Sequence, residues 1–273
     1  MRILIVVATS AEIDPLVAGL QYRSDGDSRT TKYARGAHEI DVLTTGVGMV
    51  ATAAWCSRVL ATPDYDLALN VGICGSFDTA IAAGTVVHVV SEQLPEMGAE
   101  DDEAFLTVHD LRLLGNDEFP FQAGRLMNPG PPLNSVLLHL PGVRGITVNT
   151  VHGNDRSIAA VRQRCEPQVE SMEGAGFMYA CLIHRIPFAE VRAVSNVVEK
   201  RNRGGWKMAE AIASYNRAVS LEPDNPDGHY NLAVAYFESG NERLAVSEAK
   251  ILRQLDGKLY EKLVSETRLS KEQ

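Results

Sequence analysis

Three short segments in the first two hundred residues carry side chains that suit acid–base or electrostatic chemistry. Thr9–Glu12 follows an apolar run, Glu170 and Glu173 lie three positions apart, and Ser195 with Asn196 ends another apolar run. A carboxylate can activate water or balance a developing positive charge, and an amide offers both a donor and an acceptor. Each segment also has a purely structural interpretation: a helix capping box, a pair of acids that favours a helix N-terminus, and an Asx turn.

Two glycine-rich turns lie between these segments. T-T-G-V-G-M occupies Thr44–Met49, and N-V-G-I-C-G-S-F occupies Asn70–Phe77. Glycine permits positive φ angles and lets backbone N–H groups approach a ligand closely. Neither turn matches the dinucleotide fingerprint or the P-loop, because the third glycine and the G-K-[ST] sequence are missing. Alone, the turns are a weak indication of a ligand site.

The elements that must position these residues alternate between short apolar strands and helices. Near-continuous apolar runs such as Ile3–Val7 are typical of strands that are covered on both faces. The pattern predicts strands over 2–8, 39–45, 67–71, 85–91, 145–150 and 187–195, and helices over 49–61, 155–164 and 174–184. This alternation predicts an α/β fold with a largely parallel or mixed sheet. The less regular stretch 91–132 is predicted to be a long functional loop or lid rather than core.

The chain changes character from Trp206 onward, where the pattern is helical and repetitive. Packing positions of the 34-residue tetratricopeptide repeat (TPR) are matched at Tyr230, Leu232, Ala233, Tyr236, Gly240, Ala245 and Leu255, and in a preceding half repeat at Ala211, Tyr215, Ala218 and Pro223. We therefore expect an α/β domain over 1–205 and a TPR-like helical extension over 206–273, with a helix over 206–221 shared by both and a capping helix over 258–267. The alternative is a generic helical hairpin whose spacing matches by coincidence.

Composition and charge exclude several classes of protein. The 273 residues contain 26 Lys and Arg against 35 Asp and Glu, a net charge of −9, so no basic field exists to attract a nucleic acid polymer or an anionic membrane. The longest opening apolar run, Ile3–Ala8, is too short to span a membrane. The four cysteines are widely separated, which predicts buried thiols in a reducing compartment rather than disulfides or a metal site. We expect a cytoplasmic protein.

In their collinear order, the chemical segments resemble the purine nucleoside phosphorylase and nucleosidase family. The order is Glu12 after a strand, then G-V-G, N-V-G-I-C-G, M-E-G-A and V-R-A-V-S-N. The sequences M-G-A-E-D at 97–101 and S-N-V-V-E-K-R-N-R at 195–203 resemble its futalosine hydrolase branch, which belongs to menaquinone biosynthesis. The resemblance implies a three-layer α/β sandwich with a mixed central sheet, N-glycosidic bond hydrolysis without a cofactor or metal, and a homo-oligomer. The small-molecule partner would be a nucleoside, and the TPR segment could bind a protein partner.

The resemblance also implies residue roles. Glu12 corresponds to the carboxylate that activates the attacking water, and Glu173 to the acceptor for the ribose hydroxyls. Met172 would pack beneath the sugar, and Arg192 would help to place water and the carboxylates. The residues expected to flank the purine are Ile73, Cys74, Gly75, Val151 and Ser195, although the turn at Val151 lacks the aromatic residue on which related enzymes stack the base. Arg201 and Arg203 are candidates for holding a carboxylate on the substrate's tail; the alternative is a solvated basic turn.

Asn196 departs from the adenosine-cleaving members, which carry Asp at this place. An amide can donate to a 6-oxo group and accept from N7–H, whereas an ionised Asp would oppose the oxygen with a second acceptor. Asn196 therefore favours a 6-oxopurine nucleoside such as futalosine over methylthioadenosine. The alternative is that Asn196 marks an inactive site.

The glycine turns favour hydrolysis over phosphorolysis. Phosphorylases of the family hold phosphate with arginines beside these turns, and neither turn contains an arginine in this sequence. Glu12 would also repel a phosphate. Three hypotheses follow: a futalosine hydrolase that releases hypoxanthine, another purine nucleosidase or phosphorylase, and a non-catalytic interaction protein built around the repeats.

Overall fold

The computed structural model describes residues 1–26, 29–61, 65–200, 224–238 and 241–267. The chain divides into two compact units, Met1–Lys200 and Arg201–Gln273. None of the described helices combines the length and the apolar character that crossing a membrane requires.

The described residues of the first unit form thirteen strands and five α-helices. The strands are β1 (Arg2–Val7), β2 (Gln21–Asp25), β3 (Thr30–Arg35), β4 (His38–Thr44), β5 (Leu67–Ser76), β6 (Val86–Gln93), β7 (Gly98–Asp101), β8 (Ala104–Thr107), β9 (Phe121–Gln122), β10 (Arg125–Met127), β11 (Gly142–Thr147), β12 (Val169–Ser171) and β13 (Phe188–Val197). The helices are α1 (Asp14–Val17), α2 (Met49–Leu60), α3 (Ser135–His139), α4 (Asp155–Cys165) and α5 (Gly174–His184). A 3₁₀ turn spans Ser10–Glu12.

One mixed sheet of eleven strands organises this unit. Its order is β2-β3-β4-β1-β5-β12-β11-β6-β10-β9, and β13 joins both β5 and β6. β13 runs parallel to β5 and antiparallel to β6. On the other side, β12 pairs with β5, β11 pairs with β12, and β11 also pairs with β6. The pairings β5-β12-β11-β6-β13 therefore form a closed ring. The predicted mixed sheet is confirmed.

Alternate residues of β1 are buried against different elements on the two faces of the sheet. Leu4 and Val6 join a core cluster with residues of α2 and α5, whereas Ile5 and Val7 pack with Ile13 beyond the 3₁₀ turn. Strands that are covered on both faces must be apolar at every position, which explains the continuous run. The sheet therefore has helical elements on both faces, and the predicted three-layer α/β class is confirmed.

The prediction that 91–132 is a loop outside the core is wrong. This stretch contains β7 to β10, and the side chains of Phe121 and Leu126 belong to the central core cluster. Strands of two to four residues are too short to show the alternation that identifies a strand.

The second unit contains three described helices, α6 (Pro226–Glu238), α7 (Glu242–Leu255) and α8 (Gly257–Thr267). Leu232 and Tyr236 pack against Ala245, and Leu252 and Leu263 meet in a second cluster. The predicted capping helix over 258–267 is confirmed. The predicted shared helix over 206–221 and the repeat residues Ala211, Tyr215, Ala218, Pro223 and Gly240 lie outside the described residues.

Candidate active site

Glu12 is held at the end of β1 by backbone donors. The 3₁₀ turn brings its carboxylate back to the strand end, where Oε2 accepts from the N–H groups of Ala8 at 3.0 Å and Thr9 at 2.9 Å. One carboxylate oxygen of Glu12 therefore accepts from the backbone as the capping-box interpretation predicts. The other oxygen, Oε1, is directed toward Gly72 of β5, 2.9 Å from the point that a Cβ at residue 72 would occupy.

The guanidinium of Arg192 approaches the same glycine. Its Nη1 is 2.8 Å from the same Cβ point of Gly72, so the glycine leaves the space in which Glu12 and Arg192 approach each other. Arg192 is buried in β13, donates from Nη2 to Asn70 Oδ1, and forms an ion pair from Nε to Glu190 Oε1 at 3.0 Å. Burial lowers the pKa of Arg192, but the surrounding carboxylates of Glu190, Glu173 and Glu92 outweigh this and raise it. Arg192 is therefore a permanent buried cation.

Glu173 connects this region to the first glycine turn. It immediately precedes α5, is 8% exposed, and its Oε1 accepts from the backbone N–H of Gly48 at 3.1 Å. Gly48 has a φ of +102°, which lets its N–H face the carboxylate. Behind it, Gly176 packs on α2 so closely that a Cβ would lie 2.4 Å from the carbonyl oxygen of Met49. Small residues after Glu173 thus permit the close approach of α2 and α5.

A bulge in β13 aims Asn196 at the edge of the sheet. The register with β5 shifts between Val194 and Asn196, which leaves Ser195 as the extra residue. Asn196 is exposed, and its Nδ2 lies 3.6 Å from the Cβ point of Gly75. Its Nδ2 donates to the carbonyl of Val197 at 2.9 Å, and its Oδ1 accepts from Ser195 Oγ at 2.8 Å. One N–H and one oxygen lone pair of the amide remain for a ligand.

The remaining predicted residues have different surroundings. Ile73 is 57% exposed and Val151 is 36% exposed, whereas Met172 is half-buried. The side chain of Cys74 lies in the core, where burial raises its thiol pKa to about 12, and only its carbonyl reaches the site, accepting from Ser195 Oγ at 3.0 Å. All four cysteines are free and buried, as predicted. Arg201 and Arg203 lie outside the described residues.

Glu170, one of the two acids that lie three positions apart in the sequence, contacts His152 in the turn at Val151, a pairing that the sequence did not indicate. Glu170 on β12 accepts from the backbone N–H of His152 at 3.1 Å, and its Oε2 lies 2.6 Å from His152 Nδ1. The His152 ring packs edge-on against Phe77 with centroids 6.0 Å apart. His152 therefore supplies a flat ring to the turn that was expected to lack one. The turn itself was predicted, but nothing in its sequence indicates a pairing across eighteen residues.

One arginine lies beside the first glycine turn after all. Arg29 Nη1 donates to the carbonyls of Thr44 and Thr45 at 3.4 and 3.2 Å, and its guanidinium stacks over Trp55 at 5.2 Å. The sequence could not show this, because Arg29 comes from β3's approach to the sheet rather than from the turn. Two of its donors are occupied by backbone oxygens and its face by Trp55.

The site therefore has two ends on one strand. The carboxylate end consists of Glu12, Glu173 and Arg192, and the purine end of Gly75, Ser195 and Asn196. Gly72 and Gly75, three residues apart on β5, separate the two ends by about 10 Å of extended chain.

Comparison with known proteins finds futalosine hydrolases among the relatives of this chain. The chain is 31% identical over 230 residues to the futalosine hydrolase of Streptomyces coelicolor, covering 80% of this chain and 94% of that protein. It is 30% identical over 183 residues to the futalosine hydrolase of Thermus thermophilus, covering 65% and 78%. Among solved structures, the native futalosine hydrolase of Helicobacter pylori superposes with a TM-score of 0.60 at 11% identity, covering 93% of this chain and 97% of that one.

The chain also resembles a related nucleosidase in fold and a repeat family in sequence. The S-adenosylhomocysteine nucleosidase of Streptococcus pyogenes superposes with a TM-score of 0.59 at 17% identity, covering 92% and 95% of the two chains. At such low sequence identities, these superpositions show a shared fold. Residues 207–240 match the TPR repeat family, which confirms the resemblance seen from Trp206 onward.

Proposed function

The chain belongs to the futalosine hydrolase family, and we propose that it hydrolyses the N-glycosidic bond of futalosine, releasing hypoxanthine and dehypoxanthine futalosine for menaquinone biosynthesis. Its relatives are N-glycosyl hydrolases. The single observation that carries the proposal to this chain is the convergence of Glu12 and Arg192 on Gly72, because it provides an oriented base with a fixed cation beside it.

Glu12 is proposed to be the general base. Its Oε2 is occupied by two backbone N–H groups, so Oε1 is the oxygen that accepts a proton from the attacking water. The oxygen of that water forms a bond to the anomeric carbon of the ribose as the bond from that carbon to the purine breaks. Arg192 holds its side of the site fixed through Asn70 and Glu190.

Glu173 is proposed to anchor the ribose and to stabilise its positive charge. The Gly48 N–H occupies Oε1, which leaves Oε2 to accept from the ribose hydroxyls. A buried carboxylate near a ribosyl cation gains electrostatic energy because little water screens it. Met172, one residue earlier and half-buried, is proposed to pack beneath the sugar.

Asn196 is proposed to recognise the 6-oxopurine edge, with Ser195 and the turn at Ile73, Cys74 and Gly75 beside it. Its free N–H donates to the 6-oxo group, and its carbonyl accepts from N7–H of the departing base. Because Asn196 is exposed, solvent can supply the N7 proton that an amide cannot. The His152 ring, in the turn that also holds Val151, is proposed to form a wall of the same pocket.

Hydrolysis is proposed over phosphorolysis. Arg29 beside the first glycine turn already binds two carbonyls and a ring, and Arg192 beside the second already contacts Asn70 and Glu190. A phosphate would also have to approach the carboxylates of Glu12 and Glu173, which repel it.

The tail of the substrate and the second unit extend the proposal. Arg201 and Arg203 are proposed to bind the carboxylate of the futalosine tail; unchanged KM for futalosine in both Arg201→Ala and Arg203→Ala would contradict this.

We also propose that residues 1–205 form the catalytic domain within a homo-oligomer, and that 206–273 binds a protein partner. Truncation after Leu221 should then retain turnover, whereas truncation after Gly205 should unfold the protein.

The deciding experiment incubates the purified protein with futalosine, inosine or methylthioadenosine, each with and without phosphate, and measures the released base. We expect hypoxanthine from futalosine at a rate that phosphate does not change. Phosphate-dependent release would indicate a phosphorylase, adenine release a methylthioadenosine nucleosidase, and no release from any substrate a non-catalytic protein.

A further inference from the structure

Two buried glutamates behind the carboxylate end have no role in the proposed reaction. Glu92 on β6 is 1% exposed, and Glu190 on β13 is 0% exposed. A Cβ at Gly174 would lie 2.4 Å from Glu92 Oε1 and 2.5 and 2.8 Å from the two oxygens of Glu190. Both carboxyl groups therefore converge on the same small space, which exists because residue 174 has no side chain.

A chain of hydrogen bonds fixes the direction in which Glu92 faces. The N–H of Ala175 donates to Thr147 Oγ1 at 2.7 Å, so the Thr147 hydroxyl is free to donate onward to Glu92 Oε2 at 2.9 Å. Glu92 Oε2 is thus an acceptor, and Oε1 is the oxygen that faces Glu190. A carboxylic acid has one O–H donor, and Oε1 is where that donor has a partner.

Glu190 has the opposite requirement. Its Oε1 lies 3.0 Å from Arg192 Nε, yet among the described residues neither of its oxygens accepts an aligned hydrogen bond. A buried carboxylate without a donor is costly. An O–H on Glu92 would supply the missing donor, while Arg192 supplies the opposite charge.

The local charges support one proton shared by the two acids. Arg192 interacts electrostatically with Glu92, Glu190 and Glu173 and lies against Glu12 at Gly72. Arg125 on β10 is a second cation that interacts with Glu92, and the thiols of Cys74 and Cys181 are also nearby. Two adjacent buried carboxylates cannot both ionise without strong repulsion. Burial, and then the charge of Glu190, raise the pKa of Glu92 well above its ordinary value. Burial also raises the pKa of Glu190, but Arg192 opposes that change.

We propose that Glu92 and Glu190 form a singly protonated carboxyl pair that positions Arg192 against Glu12, with the proton on Glu92 Oε1 and the negative charge on Glu190. Both are positioning residues, since they act through Arg192 and not on the substrate. The kinetic part of this inference rests on the proposed function, whereas the shared proton does not.

Stability against pH tests the proton directly. An unfolded Glu ionises near pH 4.3, so above that value unfolding of the wild type releases the proton of Glu92. The unfolding constant should rise about tenfold per pH unit from this group until its raised folded-state pKa is passed. Glu92→Gln keeps the hydrogen bond to Glu190 but carries no titrating proton. Between pH 5.5 and 7 its stability, from urea unfolding, should lack that slope.

Kinetics test the positioning role. As pH rises and the pair loses its proton, kcat of the wild type on futalosine should fall, and Glu92→Gln should lack this alkaline limb. Glu190→Gln removes the charge beside Arg192, so we expect kcat to fall at least about tenfold with little change in KM, and Glu190→Asp to recover part of it. Glu39→Gln, at an exposed position near the start of β4, is the control and should match the wild type in every measurement.

Several results would overturn the inference. The same stability slope in Glu92→Gln and the wild type would place the proton elsewhere. Equal kinetics in Glu190→Gln and the wild type would remove the positioning role. If Glu190→Gln does not fold, Glu92→Gln still decides, because the alkaline limb must disappear with its proton. If the wild type does not cleave futalosine, the proposed function fails while the unfolding measurements still test the pair.

Discussion

The two ends of the candidate site differ in burial and in charge. At the carboxylate end, Glu173 is 8% and Arg192 is 2% exposed, and the charge of Glu173 contributes to raising the pKa of Arg192. At the purine end, Ser195 and Asn196 are exposed and neutral. Charges interact strongly only where water is excluded, whereas a neutral amide selects a partner by matching donors and acceptors, which solvent does not abolish.

The two ends are also held in place by different kinds of contact. The carboxylate end is fixed by contacts between distant parts of the chain, including Gly48 to Glu173 and Asn70 to Arg192. The purine end is shaped locally by one bulge in β13. Changes at the carboxylate end should therefore reduce catalysis, and changes at the purine end should alter which base is accepted.

The largest expected effect is the loss of the base. Glu12→Gln keeps the size of the side chain but cannot accept a proton from water, so we expect kcat to fall by about 10²- to 10⁴-fold. Steady-state kinetics with futalosine check this, and circular dichroism should show an unchanged fold. A decrease of less than tenfold would show that another group activates the water.

The next effect tests whether the space at Gly72 matters. Gly72→Ala would put a Cβ 2.8 Å from Arg192 Nη1 and 2.9 Å from Glu12 Oε1, so one of them must move. A displacement of about 1 Å in a catalytic group can cost about 10²-fold in rate, and we expect a kcat loss of that order. Gly130→Ala is the matched control, because a Cβ there meets nothing within 4 Å. Equal activity in the two variants would refute the role of the shared space.

A smaller effect tests the purine end. Asn196→Asp replaces the amide donor with an acceptor, and we expect kcat/KM on the 6-oxopurine nucleoside to fall at least about tenfold, or about 1.4 kcal/mol. Activity on a 6-amino analogue should rise relative to it. Unchanged kinetics on both substrates would remove Asn196 from the base-binding edge.

The sequence predicted the elements that carry long apolar runs and the residues that follow them. Strands β1, β4 and β13 and helix α5 lie where expected, because each has enough residues to show its period. Glu12 follows β1 and Asn196 lies near the end of β13, so their positions at strand ends could also be predicted. Glu173 follows the three-residue β12, and what could be predicted is its position at the start of α5.

Pairings across the sheet could not be predicted. The approach of Glu92 to Glu190, and of His152 to Glu170, depends on which strands become neighbours. The ring closed by β13 between β5 and β6 is a property of the topology, and no local pattern in the sequence encodes it. Arg29 is a similar case, since β3 brings it to a turn in which no arginine occurs.

The smallest expected effect separates backbone from side chain at the purine end. Cys74 was expected to flank the purine, yet its side chain is 3% exposed and only its carbonyl faces Ser195. Cys74→Ala should therefore change kcat/KM for futalosine by less than about twofold, while the lost packing lowers stability by about 1 kcal/mol. Because burial raises the thiol pKa to about 12, a thiol reagent at pH 8 should label Cys74 only when the protein unfolds. A tenfold loss of kcat/KM, or rapid labelling of the folded protein, would place the sulfur in the site and show that the side chain of Cys74, and not its carbonyl alone, belongs to the purine end.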